Sequence, residues 1–105
     1  MKTYKINILE FAYSDMRISK SFYEQQSKDL GKYFINSILT DIESLSFYGG
    51  IHMKFYGLYR LLAKRFPYAI YYDLVDDVVV VYAILDLRKN PQTNAEKLLK
   101  RRKAQ

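Results

Sequence analysis

Tyr4-Lys5-Ile6-Asn7-Ile8-Leu9 alternates, the period of a strand with one buried face. The period then lengthens. Phe11, Ala12, Asp15, Ile18, Phe22 and Tyr23 fall largely on one face of a helix predicted over residues 11–26. Ser27-Lys28-Asp29-Leu30-Gly31 reads as a break between helices. From Lys32 onward, Phe34, Ile38, Ile42 and Leu45 recur at intervals of four, four and three, a second amphipathic stripe. Gly49-Gly50 ends it, because glycine tolerates the left-handed conformation that closes a helix. A strand followed by a helical hairpin needs a sheet on which to lay its apolar stripe.

The second half supplies that sheet. Branched and aromatic residues dominate from Tyr59 to Ile84, which suits a pleated surface better than a helix. Pro67 and Asp76-Asp77 divide the stretch into strands predicted at 58–65, 68–74 and 78–85. The short Val75-Asp76-Asp77 connection makes the last two an antiparallel hairpin. Both alternations of these two runs are apolar, so both faces of the sheet should be covered. Residues 52–56 read either as a loop or as the start of a strand. After Asn90-Pro91, residues 93–103 predict a short basic helix capped by Thr93 or Asn94. A helix that short is marginal alone and is expected to order on a partner.

Composition narrows the class. One hundred and five residues suit one domain, 1–105, of which 92–105 is a basic tail. With no cysteine, disulfides, thiolate metal sites and a Cys nucleophile are excluded. One histidine, His52, cannot build a His-rich metal site, and neither a membrane span nor a signal-peptide core is visible. A cytoplasmic chain without metal or cofactor is the expectation. Residues 1–52 carry six Lys/Arg against six Asp/Glu, whereas residues 53–105 carry eleven against five. The whole net charge of +6 therefore lies in the second half and points to an anionic partner, nucleic acid being the commonest.

Cations interrupt the apolar pattern at Arg60, Lys64 and Arg65, and again at Arg88 and Lys89 where the last strand ends. Strand parity puts Arg60 and Lys64 on one face and Arg65 on the other. Val80, Tyr82, Ile84, Asp86 and Arg88 share a parity on the last strand. If those faces coincide, Arg60, Lys64, Tyr82, Asp86 and Arg88 form a set able to bind a phosphate and stabilise charge on it. The competing reading pairs Arg60 with Asp86 and leaves Tyr82 in the core. His52 has the pKa of a general base but no companion fixed by spacing, so a surface histidine is the simpler reading. Asp76 and Asp77 are turn residues, and Asp15 is a solvated or tethering residue. The eleven tyrosines lie mostly inside apolar runs, which favours core and cross-strand pairing over base stacking. No Gly-rich phosphate loop, nucleophile elbow or metal spacing is present.

Arg60, Lys64-Arg65-Phe66-Pro67-Tyr68-Ala69-Ile70-Tyr71-Tyr72, Val78-Val79-Val80-Val81-Tyr82-Ala83-Ile84 and Arg88-Lys89-Asn90-Pro91 together resemble a known pattern. It is that of the RelE/ParE toxins of bacterial toxin–antitoxin modules, some of them labelled plasmid stabilisation proteins. The resemblance spans about residues 4–91 and is most specific from 60 to 91. It implies an α+β fold: a helical hairpin packed on a small twisted, mainly antiparallel sheet, in the order β-α-α-β-β-β. It also implies a cognate antitoxin, small, acidic and DNA-binding, whose tail wraps the toxin. RelE-like members cleave mRNA on the ribosome with basic residues, whereas ParE-like members poison DNA gyrase.

Arg60 matches the family's sheet arginine, and Arg88 with Lys89 matches the basic pair before the proline. Arg60, Lys64, Arg65, Arg88 and Lys89 are thus the candidate target-binding or nucleic-acid-binding residues. Arg60, Lys64 and Arg88 would be the catalytic candidates of a nuclease. Many relatives have His where this chain has Asp86, a carboxylate that would repel an RNA phosphate unless paired with arginine. That favours the gyrase inhibitor over the mRNA endonuclease. A non-toxic basic nucleic-acid-binding relative is the third reading.

Overall fold

The computed structural model describes residues 2–104. Its elements run β1 (Lys5–Ile8), α1 (Glu10–Gln26), α2 (Leu30–Glu43), α3 (Leu45–Tyr48), β2 (Lys54–Phe55), β3 (Leu58–Leu62), β4 (Tyr68–Val75), β5 (Val78–Asp86) and α4 (Pro91–Ala104). The strands form one sheet in the order β1-β5-β4-β3-β2. β1 runs parallel to β5 and every other pair is antiparallel, so the predicted α+β class and hairpin-on-sheet layering hold. Of two further short elements, β2 lies within residues 52–56, where the start of a strand was one of the two readings, and α3 was absent from the predicted order.

The stripe on α2 does what its spacing requires. Phe34, Ile38 and Ile42, with Leu45 after it, are buried against Ile70, Tyr72, Val79 and Val81 of the sheet. Gly31 lets α2 approach α1 closely, since a Cβ there would lie 2.8 Å from the Lys20 carbonyl oxygen. The α1 stripe behaves differently from expectation. Ala12, Met16 and Tyr23 are its buried residues, while Ile18 is 69% and Phe22 49% exposed.

A β-bulge decides which β5 side chains face which layer. Tyr71 pairs with Ala83 and Tyr72 with Val81, leaving Tyr82 without an opposite residue. Parity therefore reverses at Tyr82. Val79, Val81 and Ile84 face the helical hairpin, whereas Tyr82, Ala83 and Leu85 belong to the core on the opposite face.

That opposite face is covered by α4. Leu98 is 1% exposed and packs with Leu58, Ala69, Tyr71 and Leu85, so the predicted covering of both faces holds. The helix does not await a partner to order. Its start also lies earlier than predicted: the Asn90 side chain accepts the Gln92 N–H at 2.8 Å, and Pro91 takes the first helical position. Neither Thr93 nor Asn94 is the cap. Asn94 is buried and donates its side-chain N–H to the Asp86 carbonyl at 3.0 Å.

β1 pairs only with Val78 to Val81, so the rest of β5 has an edge without a neighbouring strand. Side chains of α1 and α4 close it. Arg101 donates to the Tyr82 carbonyl at 3.2 Å, Asp15 accepts the Ile84 N–H at 2.9 Å, and Asn94 takes the Asp86 carbonyl. Asp15 and Arg101 also grip each other through two parallel bonds of 2.6 and 2.9 Å. Of the two readings of Asp15, tethering is the correct one. An edge filled this way is unavailable to a pairing strand.

Candidate functional site

β3 ends at Leu62 rather than at Arg65, because the chain turns away there. Ala63 still donates to the Tyr68 carbonyl, but the Lys64 N–H already turns to the buried Asp41 carboxylate at 3.1 Å. Lys64 and Arg65 thus occupy the β3–β4 loop, and strand parity no longer relates Arg60 to Lys64. Phe66 anchors that loop in an aromatic cluster. Its ring lies 4.9 Å from Phe34 and 5.0 Å from Tyr23, each edge-on. The Leu87 N–H donates to the Pro67 carbonyl at 2.8 Å, tying this loop to the β5–α4 turn. Lys64, Arg65, Arg88 and Lys89 accordingly stand in two joined loops at one end of the sheet.

Their electrostatic states differ. Arg88 bonds Asp86 through Nε at 3.0 Å and through a terminal nitrogen at 2.9 Å, and that nitrogen also reaches the Tyr23 hydroxyl at 3.1 Å. The Nε edge of its guanidinium is occupied, while the side chain as a whole remains 52% exposed. Burial alone would raise the Asp86 carboxyl pKa, but the Arg88 side chain, backbone N–H and charge outweigh it and hold the pKa below the usual range. Lys64, Arg65 and Lys89 are exposed and enter no ion pair among the described residues.

Arg60 lies elsewhere. It pairs in register with Tyr71, on the α4 face, and its guanidinium stacks 3.7 Å from the Phe55 ring centroid. Asp86 pairs with Tyr68, a member of the opposite core. The sheet therefore separates Arg60 from Asp86 and Arg88. The five-residue set of Arg60, Lys64, Tyr82, Asp86 and Arg88 does not assemble, and neither does the alternative pairing of Arg60 with Asp86. The bulge at Tyr82 and the early end of β3 are the physical reasons.

The expectation for the tyrosines holds in the sheet. Tyr68, Tyr71, Tyr72 and Tyr82 are all buried, and Tyr59 stacks on Tyr72 at 5.1 Å. Burial pushes the Tyr68 phenol up to about 12, so it stays neutral while donating to Ser19 at 3.1 Å.

His52 is more than a surface residue. Its Nδ1 meets the hydroxyl of the fully buried Tyr72, which also accepts the Gly50 N–H at 2.9 Å. Gly50 has φ +92°, and this bond helps to hold that turn. Burial lowers the His52 pKa below its ordinary value of 6.5. A group with a depressed folded pKa favours the folded state above its unfolded pKa and loses that contribution as pH falls. Stability is thus expected to decline as pH drops below about 6.5, the unperturbed histidine value. His52→Gln should flatten that decline in urea titrations between pH 7 and pH 5; an unchanged slope would remove His52 as its source.

Sequence reasoning missed two features here. Arg101, read as one of several tail cations, is the partner of Asp15, a residue whose place on an apolar helix face was the available signal. Ile18 and Phe22, read as core, stand exposed beside a cavity of about 240 Å³ between α1, β5 and α4.

No family model matches the sequence, and no curated protein matches it. Among solved structures, the chain is similar to one chain of the chromosomal ParDE TA system from P. aeruginosa, with a TM-score of 0.73. The two share 12% sequence identity, and the match covers 81% of this chain and 97% of that one. At this level of identity the likeness is one of fold, and the fold is the RelE/ParE-like arrangement that residues 60–91 foreshadowed.

Proposed function

We propose that this chain is the toxin of a type II toxin–antitoxin module, with a cognate antitoxin as partner and a DNA gyrase-type enzyme as target. The fold shared with a ParDE chain supports the toxin reading. One observation carries the choice of target: Arg60 stands apart from the other cations that a metal-independent ribonuclease would need. Arg60 is stacked on Phe55 on one face, whereas Arg88, held by Asp86 through Nε and one terminal nitrogen, and Lys64 stand in the loops at the end of the sheet. Electrostatic catalysis depends on donors preorganised around one developing charge, and these donors do not converge. A binding toxin has no such requirement. Exposed Lys64, Arg65 and Lys89 then serve contact with an anionic surface.

Purified protein assayed against gyrase supercoiling and against mRNA on translating ribosomes tests this reading. Inhibited supercoiling with intact mRNA is the expected result. Cleaved mRNA, with a rate that falls about 10²–10³-fold in Arg60→Ala, would establish the endonuclease instead. If wild-type protein affects neither assay, the chain is a non-toxic basic relative.

A further inference from the structure

Residues 44–53 form the longest stretch of the chain without Asp, Glu, Lys or Arg. The shorter uncharged runs at 66–72 and 78–85 lie mostly buried in the sheet, as their composition requires. The longest run does the opposite. Leu45 and Gly49 are its buried members, while Phe47, Tyr48, Ile51 and Met53 are each more than half exposed. The segment is held in place all the same. The Ile51 N–H donates to the Tyr48 carbonyl at 3.3 Å, the Gly50 N–H donates to the Tyr72 hydroxyl at 2.9 Å, and His52 meets that same hydroxyl. The Met53 carbonyl then accepts the Arg60 N–H at 3.0 Å and leads into β2. Four large apolar side chains therefore stand on a fixed surface running from α3 to β2.

With about 150–250 Å² on an aromatic side chain and somewhat less on Ile and Met, the four expose roughly 500 Å². Each partner in a standard interface contributes ~800 Å², so these side chains alone supply more than half of one side. Charge selects what covers them. Glu43 and Lys54 bracket the uncharged run, are exposed, and enter no ion pair among the described residues. In an isologous contact, residue i of one copy meets j of the other and j meets i. A two-fold axis through the middle of the run thus sets each Glu43 toward the Lys54 of the other copy. Two copies of net charge +6 repel each other, and they approach most easily where every cation at the contact has a counter-charge.

We propose that residues 43–54 are a self-association surface: a second copy of this chain docks through Phe47, Tyr48, Ile51 and Met53, with two Glu43–Lys54 ion pairs at the rim. A nucleic acid fits poorly, because this surface offers its phosphates a single cation among large apolar side chains. β2 has only two residues, so side-chain packing and not continuation of the sheet joins the copies. The inference is independent of the toxin–antitoxin reading, and neither stands or falls with the other.

Sedimentation equilibrium of the full chain is expected to give a dimer with a dissociation constant of roughly 10–100 μM, the weak end for an interface of this size. The double variant Ile51→Ser/Met53→Ser should weaken it about tenfold or more, as central anchors do. Glu43→Lys and Lys54→Glu should each weaken it about tenfold, because like charges then face each other twice across the axis. Combined as Glu43→Lys/Lys54→Glu, they should return the dimer to within about twofold of wild type, since the exchange restores both pairs. Leu62→Ser, which removes an exposed apolar side chain outside the run, is the control expected to dimerise normally. All these positions are exposed, and far-UV circular dichroism confirms that each variant is folded. A chain that stays monomeric at about 1 mM would overturn the proposal, as would a dimer indifferent to Ile51 and Met53. An exchanged double variant as weak as the single ones would overturn the two-fold pairing and the proposal with it. Monomeric protein that floats with phosphatidylcholine–phosphatidylglycerol vesicles, and loses this in Ile51→Ser/Met53→Ser, would replace the second copy by a lipid surface.

Discussion

Replacing Asp15 by alanine is expected to lower the unfolding free energy by about 3–5 kcal/mol, the range for removing one partner of a buried ion pair. The pair is largely shielded from solvent, with Arg101 and Asp15 side chains 15% and 10% exposed. Three interactions disappear together: both bonds to Arg101 and the bond that satisfies the Ile84 N–H. What remains is a desolvated guanidinium and an unpaired amide at the β5 edge, each costly in a low dielectric. Asp15→Asn should lose less, because its amide oxygen can still accept from Ile84. Adding Arg101→Met to Asp15→Ala should recover part of the loss, since the orphaned charge goes with it. Urea unfolding of Asp15→Ala, Arg101→Met and the double variant measures this coupling directly. A loss below about 1 kcal/mol would put the pair in the class of solvent-screened surface bridges.

Deleting α4 by truncation after Asn90 should be more damaging still. Leu98 is the helix's apolar anchor, and loss of a buried leucine side chain alone costs about 2–5 kcal/mol. Arg101 and Asn94 leave with it, which frees Asp15 and exposes the carbonyls of Tyr82 and Asp86. Freedom regained by the chain end offsets part of this, but the neighbours Leu58, Tyr71 and Leu85 remain uncovered. Small domains have about 5–15 kcal/mol in total, so the truncated chain should lie near the limit of cooperative folding. A fall in Tm of roughly 20 °C or more is expected, at about 4–8 °C per kcal/mol for a domain of this size. Changing Lys97, Lys100 and Lys103 to glutamine is the matched control. These residues are exposed, and their loss should leave Tm within a few degrees. If the truncated chain melts like the full one, residues 91–104 contribute nothing to the stability of the fold.

Much of this fold could be read without coordinates, and the readable part has a common cause. Strand alternation in residues 4–9, the stripe of Phe34, Ile38, Ile42 and Leu45, and the turn at Asp76-Asp77 are encoded within a few residues of one another. A local period specifies which side of an element is apolar. The order of cations around the Phe-Pro-Tyr stretch likewise sufficed to point to the RelE/ParE-like fold.

Only the tertiary structure decided what each apolar side met. Whether Ile18 and Phe22 are core or rim depends on where α4 lies, and nothing within α1 records that. The bulge at Tyr82 arises from cross-strand register between β4 and β5, so parity along β5 alone misplaced Asp86 and Arg88 relative to Arg60. Asp41, on α2, receives the Lys64 N–H where β3 has ended. Asp15 and Arg101 are 86 residues apart, and their bond exists because two helices converge on the unpaired half of β5. Sequence period reports the faces of single elements, while charges and exposed anchors acquire their roles from docking between elements distant in the chain.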